Sequence, residues 1–250
     1  MGRVALVLTF VAAVLGGCAS VPPLGEVPDV QRTWDGAKVY LPGRLLATSV
    51  ESVPADRRWP VVVYLHGCTG LTQHDFHWAN TLKGLGFVVV QPDSFARANR
   101  KPNCDPRTYQ LGAFPQAAEM RDEEVRYAVE RAKSAPWADP ARVFVMGHSE
   151  GGRTAMTNVV SGVRGTIISG WGCTSARRQW NGIPHPSAHP TLIFEYESDP
   201  WYARRGGSCK NHLNGRSATT HVVLGPSGHG SVESPLARAA AEDFLRKLLP

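Results

Sequence analysis

Along this chain, short runs in which nearly every position is apolar alternate with longer segments in which apolar residues recur every three or four positions. The runs at 59–66, 86–91, 142–147, 165–171 and 189–196 are rich in Val, Ile and aromatic residues. They show no polar alternation, so they predict strands covered on both faces, as in a parallel sheet. A weaker run at 218–224 predicts the last strand. Helical spacing appears at 75–84, 115–135 and 234–249, with Glu123, Glu124 and Arg126 expected on a solvated face of the second. Two short segments, 37–41 and 45–49, flank Pro42-Gly43 and predict an edge hairpin. Strands alternating with helices predict an α/β domain with a mostly parallel central sheet in three layers. In such a domain the functional groups sit on loops at the carboxyl ends of the strands.

The run at 142–147 breaks into Gly147-His148-Ser149-Glu150-Gly151, after which helical spacing resumes. In a chain with 25 glycines the bare G-x-S-x-G spacing says little. Between a strand and a helix it marks a tight turn that lifts a serine clear of the sheet, beside the unpaired N–H groups of a helix start. Ser149 is therefore the candidate nucleophile. A serine hydroxyl needs a histidine base, and the base needs a carboxylate to orient it. Asp199, just beyond the run at 189–196, and His229, in Gly228-His229-Gly230 beyond the last strand, supply both in the order Ser, Asp, His. Glu197 is the alternative acid, whereas Glu195 falls within its strand. His221 also falls within a strand, and His185, His189 and His212 lie in connections. The N–H of Glu150 is one expected oxyanion donor. The loop His66-Gly67-Cys68-Thr69-Gly70 offers the second, Cys68 first and Gly67 next, with His66 propping the loop.

The amino-terminal segment follows another pattern. Met1-Gly2-Arg3 precedes an apolar run at 4–15, too short to span a bilayer comfortably, and then Leu15-Gly16-Gly17-Cys18. This predicts a signal peptide over 1–17 and, because Leu-Gly-Gly-Cys resembles a bacterial lipobox, lipidation of Cys18. Ala19 after the cysteine fits export to the outer membrane, facing the periplasm. An ordinary cleaved signal is the alternative. Proline-rich residues 18–33 then read as a tether, and 34–250 as the folded domain. Cys68, Cys104, Cys173 and Cys209 remain, an even number with no C-x-x-C, which favours disulfides in an exported chain. The strand order favours pairing Cys68 with Cys104 and Cys173 with Cys209. A length of 250 residues and 42% hydrophobic composition suit one domain. The net charge of +6 is dispersed, with only short pairs such as Arg177-Arg178, so nucleic-acid binding is not expected. His74 and His77 have no third ligand nearby, and no metal or cofactor is expected.

Over roughly residues 35–248 the chain resembles the α/β-hydrolase superfamily and, within it, the small lidless dienelactone hydrolase-like group. The resemblance is carried by Tyr64-Leu65-His66-Gly67-Cys68, the stretch from Gln91-Pro92-Asp93 to Arg97, Gly147 to Gly151, Asp199 and Gly228-His229. It implies a three-layer α/β-hydrolase fold without a large lid, and acyl transfer to water by Ser149, His229 and Asp199. Dienelactone hydrolases proper use a cysteine nucleophile, an activating glutamate after the early strand, and arginines for a substrate carboxylate. Here the nucleophile is a serine, the glutamate is absent, and Arg97 matches one arginine position with no second after His229. The expected function is a serine hydrolase of small carboxylic esters or lactones. A binding module at the envelope and a small serine exopeptidase are the competing classes. Loops 94–114 and 172–188 are expected to line the pocket, with Trp171, Trp180 and Trp201 as an aromatic wall; Arg97, Trp171 and Trp201 are the substrate-binding candidates. The sequence carries no signal of oligomeric state.

Overall fold

Each apolar run becomes a strand whose alternate residues enter opposite layers of core. The computed structural model describes residues 28–112, 114–175, 177–201 and 207–249. The elements in order are α1 (Gln31–Asp35), β1 (Lys38–Tyr40), β2 (Trp59–Leu65), α2 (Gln73–Gly84), β3 (Val88–Gln91), β4 (Cys104–Asp105) and β5 (Gln110–Leu111). There follow α3 (Gln116–Ser134), β6 (Ala138–His148), α4 (Glu150–Thr157), β7 (Thr166–Ser169), β8 (Thr191–Glu195), β9 (Thr219–Val223) and α5 (Pro235–Leu248). The main sheet runs β1-β3-β2-β6-β7-β8-β9, parallel throughout except for β1. Val61, Val63 and Leu65 of β2 pack with Val125 and Val129 of α3 and Met156 of α4. Val62 and Tyr64 face the other way, with Trp78 and Leu82 of α2 and Leu245 of α5. With both faces covered, the strands have no need of polar alternation.

Two expectations change. The edge hairpin is not a separate unit: β1 pairs antiparallel with β3, and the segment after Pro42-Gly43 contributes one bridge, Val39 to Thr48, while Leu45 and Leu46 lie exposed. The solvated face expected on α3 holds for Glu123, but Glu124 is completely buried. Its carboxylate accepts from Arg121 Nη1 at 3.0 Å and from the Ser94 hydroxyl at 2.8 Å. The helix turns this side toward the loops leaving β2 and β3, so periodicity measured against the sheet alone assigns it to water.

The signal region 1–17, Cys18 and the tether up to residue 27 lie outside the described residues. From Pro28 onward the stretch read as the end of the tether is packed: Val30 and Thr33 are buried, and Asp29 receives Arg97 Nε at 2.6 Å. Among the described residues no helix is long and apolar enough to cross a membrane.

Buried histidines make the fold sensitive to acid. His185 donates from Nε2 to the Ala155 carbonyl at 2.9 Å, and burial pulls its pKa from 6.5 down to about 4. Burial also lowers His66, His74 and His148. Above pH 6.5 these groups are neutral in both folded and unfolded chains and contribute no pH dependence. Below it the unfolded chain takes up protons that the folded one refuses, so stability falls. For His185 that loss continues to about pH 4 and amounts to about 3 kcal/mol. Denaturant melts across this window should show declining stability, and His185→Gln should flatten the decline; an equal slope in both proteins would remove His185 as a contributor.

Candidate active site

The site is built on the turn between β6 and α4. Ser149 stands there at φ 57°, ψ −116°, a left-handed conformation costly for a residue with a side chain. Neighbouring backbone over-determines it: Ser149 N–H donates to the Ser169 carbonyl at 2.8 Å, and its own carbonyl accepts from Arg153 N–H at 2.9 Å. The flanking glycines are required by close approach. A Cβ on Gly147 would overlap the Gly151 carbonyl, and one on Gly151 would overlap the Leu65 carbonyl of β2. Helix α4 thus rests backbone to backbone on the central strands.

His229, on the loop after β9, donates from Nδ1 to Asp199 Oδ2 at 2.7 Å. Asp199 is buried, and its Oδ1 accepts from Trp201 N–H at 2.9 Å, so both carboxylate oxygens are fixed. The loops carrying the two residues are joined by a Ser198 to Ser227 bridge and by Tyr196 Oη donating to the Gly230 carbonyl at 2.8 Å. His229 and Ser149 border one cleft, together with Gly67 and Cys68. The alternative acids go elsewhere. Glu197 is exposed, and Glu195 accepts from His221 Nε2 at 2.7 Å and from the N–H of Cys209, tying β8 to the segment before β9.

Cys68 and Glu150, the expected oxyanion donors, both border the recess over Ser149. Glu150 opens α4, where the leading N–H groups have no partner within the helix. Its carboxylate is drawn away from the cleft into an ion pair with Arg100, with Arg121 Nε 3.7 Å away. His66 lies beneath its loop, donating from Nδ1 to the Gly67 carbonyl at 2.7 Å and accepting at Nε2 from Ser94 N–H at 3.1 Å. The structure joins Cys68 to Cys104 and Cys173 to Cys209, the pairings the strand order favours. Cys104 belongs to the β4–β5 ribbon, so the first disulfide staples the loop of Cys68 to a hairpin beside the site.

Arg97 is engaged within the protein. Its guanidinium is committed to Asp29, to Glu123 at 2.8 Å and to the Met120 carbonyl at 3.2 Å, and it borders neither cavity at Ser149. A sequence position matching a carboxylate-holding arginine does not reveal carboxylates of the chain itself that reach it first. Trp171, Trp180 and Trp201 all border the recess over Ser149. Tyr109, Leu111 and Asn103 join them from the hairpin, within the loop 94–114 expected to line the pocket, although none of the three was singled out. The one sequence signal for them is an aromatic and an aliphatic residue in an otherwise polar loop. His148 was not singled out as a site residue, and His74 was weighed only as a metal ligand with His77. Their ring centroids lie 4.0 Å apart with the planes tilted by 35°, the His148 ring lies 4.8 Å from that of His229, and His148 Nδ1 is 3.1 Å from the Ser169 hydroxyl. His74 Nε2 accepts from Ser231 N–H at 3.2 Å, and its Nδ1 is 3.3 Å from Tyr64 Oη, so both of its nitrogens are used by the protein. Among the described residues no group of three or more His, Cys, Asp or Glu could hold a metal ion.

Residues 46–234 match the sequence profile of the dienelactone hydrolase family, and the chain belongs to that family of hydrolases. No curated protein sequence matches it. Solved structures with the same fold include a Thermus thermophilus protein, TT1662, at 18% identity and TM-score 0.57, covering 87% of this chain and 95% of the other. A Xanthomonas campestris protein described as an α/β serine hydrolase without a lid matches at 15% identity and TM-score 0.55, covering 86% and 89%. A thermophilic esterase from Thermogutta terrifontis, bound to propionate, matches at 17% identity and TM-score 0.52, covering 86% and 90%. At these identities the likeness is one of fold: an α/β-hydrolase arrangement with a mostly parallel sheet.

The elbow itself makes a testable claim. Gly151→Ala should force α4 off β2 and destabilise the protein by about 1–3 kcal/mol, the usual cost of overpacking, read as a lower denaturant midpoint at unchanged slope.

Proposed function

We propose that this chain is a serine hydrolase that cleaves carboxylic esters or lactones of small substrates through an acyl-enzyme on Ser149. One observation carries the reading: a serine at positive φ on a strand-to-helix elbow shares a cleft with a histidine whose Nδ1 is held by a buried aspartate. In the reaction, Nε2 of His229 takes the proton from Ser149 Oγ as that oxygen bonds to the substrate carbonyl carbon. Asp199 keeps Nδ1 protonated and stabilises the imidazolium. The developing oxyanion is held by the N–H groups of Glu150 and Cys68, a contribution on the order of 10²–10³ in turnover per donor. Collapse expels the alcohol, protonated by His229, and water repeats the sequence on the acyl-enzyme. The esterase and serine hydrolase among the structural neighbours favour ester chemistry. The commitment of Arg97 to Asp29 and Glu123 disfavours the acidic lactones of dienelactone hydrolases proper.

The reading extends to location. Leu15-Gly16-Gly17-Cys18 supports a lipid on Cys18 that holds the body at the outer membrane, on its periplasmic side. Two disulfides suit that oxidising compartment.

The full chain should hydrolyse short p-nitrophenyl esters and take a fluorophosphonate label. Ser149→Ala should lose the label and at least about 10³-fold in kcat while keeping its far-UV circular dichroism. Hydrolysis that survives this substitution would move the chemistry to another residue. Separately, Cys18→Ser should shift the protein from the membrane to the soluble fraction, and unchanged fractionation would rule out the anchor.

A further inference from the structure

Two cavities meet at Ser149, and only one of them contains His229. Glu150, Trp171 and Trp180 border only the first, the recess; His229, Gly67 and Thr69 border only the second, the cleft; Cys68, Tyr109 and Trp201 stand where the two meet. This division assigns the two halves of an ester, on the acyl-enzyme reading above. When the tetrahedral intermediate collapses, the bond from carbon to the alcohol oxygen breaks, and that oxygen takes the proton from His229. The leaving alcohol must therefore lie in the cleft with His229, and the acyl group must extend into the recess without it.

The walls of the recess are unusual for a pocket meant for an alkyl chain. Trp171 and Trp180 stand edge to face at 6.1 Å and 78°, and Tyr109 and Trp201 form a second perpendicular pair at 5.6 Å and 83°. These rings come from three separate segments: the loop after β7, the loop after β8 and the β4–β5 hairpin. Among the described residues, the non-glycine positions with positive φ are Ser149 and Tyr109, the latter at 55°. A tyrosine seldom adopts that conformation, and strain of this kind gathers where a structure fixes a side chain for a ligand. Here it sets the Tyr109 ring against Trp201 at the mouth of the recess. The cation on the wall, Arg153, gives its guanidinium to Asp122, to the Thr157 hydroxyl at 3.3 Å and to the Ala118 carbonyl at 3.1 Å, so it offers no unshared charge to an acidic acyl group.

We infer that the recess is the acyl subsite and that it takes a neutral, planar aromatic acyl group of the benzoyl or cinnamoyl class. A ring entering there makes offset or edge contacts with several protein rings, each worth roughly two- to tenfold in affinity beyond the area it buries. A saturated ring of the same size gains only the area.

The test uses the full chain and a matched pair of esters, methyl cinnamate and methyl 3-cyclohexylpropanoate. The wild type should favour the cinnamate by about tenfold or more in kcat/KM, and Tyr109→Leu and Trp180→Leu should each reduce that ratio severalfold. A ratio near one, or one untouched by both substitutions, would overturn the assignment. Calorimetric binding of the same two esters to Ser149→Ala decides the matter without turnover: the cinnamate should bind about tenfold more tightly, and equal affinity would sink the idea. Absence of both hydrolysis and fluorophosphonate labelling in the wild type would refute the hydrolase reading, leaving the binding ratio to judge the recess alone.

Discussion

Everything at this site depends on how closely α4 approaches the sheet. The contact is made by backbone, with Gly151 against the Leu65 carbonyl of β2, Gly152 facing the Ser169 carbonyl of β7, and Gly147 beneath Gly151. No side chain separates the helix from the strands at this point. That proximity lets β7 receive the Ser149 N–H and hold the serine in a conformation it would not choose alone. The conformational cost, on the order of 1–3 kcal/mol, is borne by a helix whose residues from Gly151 to Met156 are buried. A looser packing would let Ser149 relax toward the sheet and would move Glu150 from the wall of the recess.

Behind the elbow lies a second constraint, electrostatic in kind. Arg100, Arg121, Glu124 and Glu150 form a nearly dry set of charges between α3, α4 and the loops leaving β2 and β3. Buried pairs of this sort add little net stability, yet removing one partner strands the other and costs about 3–5 kcal/mol. Their contribution is geometric. Arg121 Nη2 also donates to the His66 carbonyl at 2.7 Å, so one side chain braces the loop of Cys68 and stands beside the carboxylate of Glu150. The two proposed oxyanion donors are thereby referred to a common support.

The sheet was legible because a strand covered on both faces leaves a signature, continuous apolar residues, that does not depend on its partners. Ser149, Asp199 and His229 could be selected because each follows a predicted strand at its carboxyl end, where the topology gathers side chains from distant parts of the chain. Asp199 was separable from Glu195 by the same rule: one lies past its strand, the other within it, occupied by His221. What failed concerned charges that the chain itself covers or engages. Arg97 was read by its match to a substrate-holding arginine of the family it resembles, but Asp29 and Glu123 hold its guanidinium. Glu124 was read by helical period, although loops cover the side that period assigned to water. Tyr109 carried no pattern, since its place depends on a turn conformation that residue type argues against.

Each disulfide joins residues 36 positions apart and so limits the freedom of the unfolded chain by about 4 kcal/mol in the loop-closure account. Both fall on the carboxyl-end rim of the sheet, where loops ordinarily remain mobile. The two disulfides tie the walls around Ser149 to one another and to the segment before β9. A molecule entering a recess tied in this way has less loop ordering left to impose. Discrimination among ligands then reduces to shape and surface chemistry, and residues at the tip of the hairpin can change without disturbing the sheet that carries the chemistry.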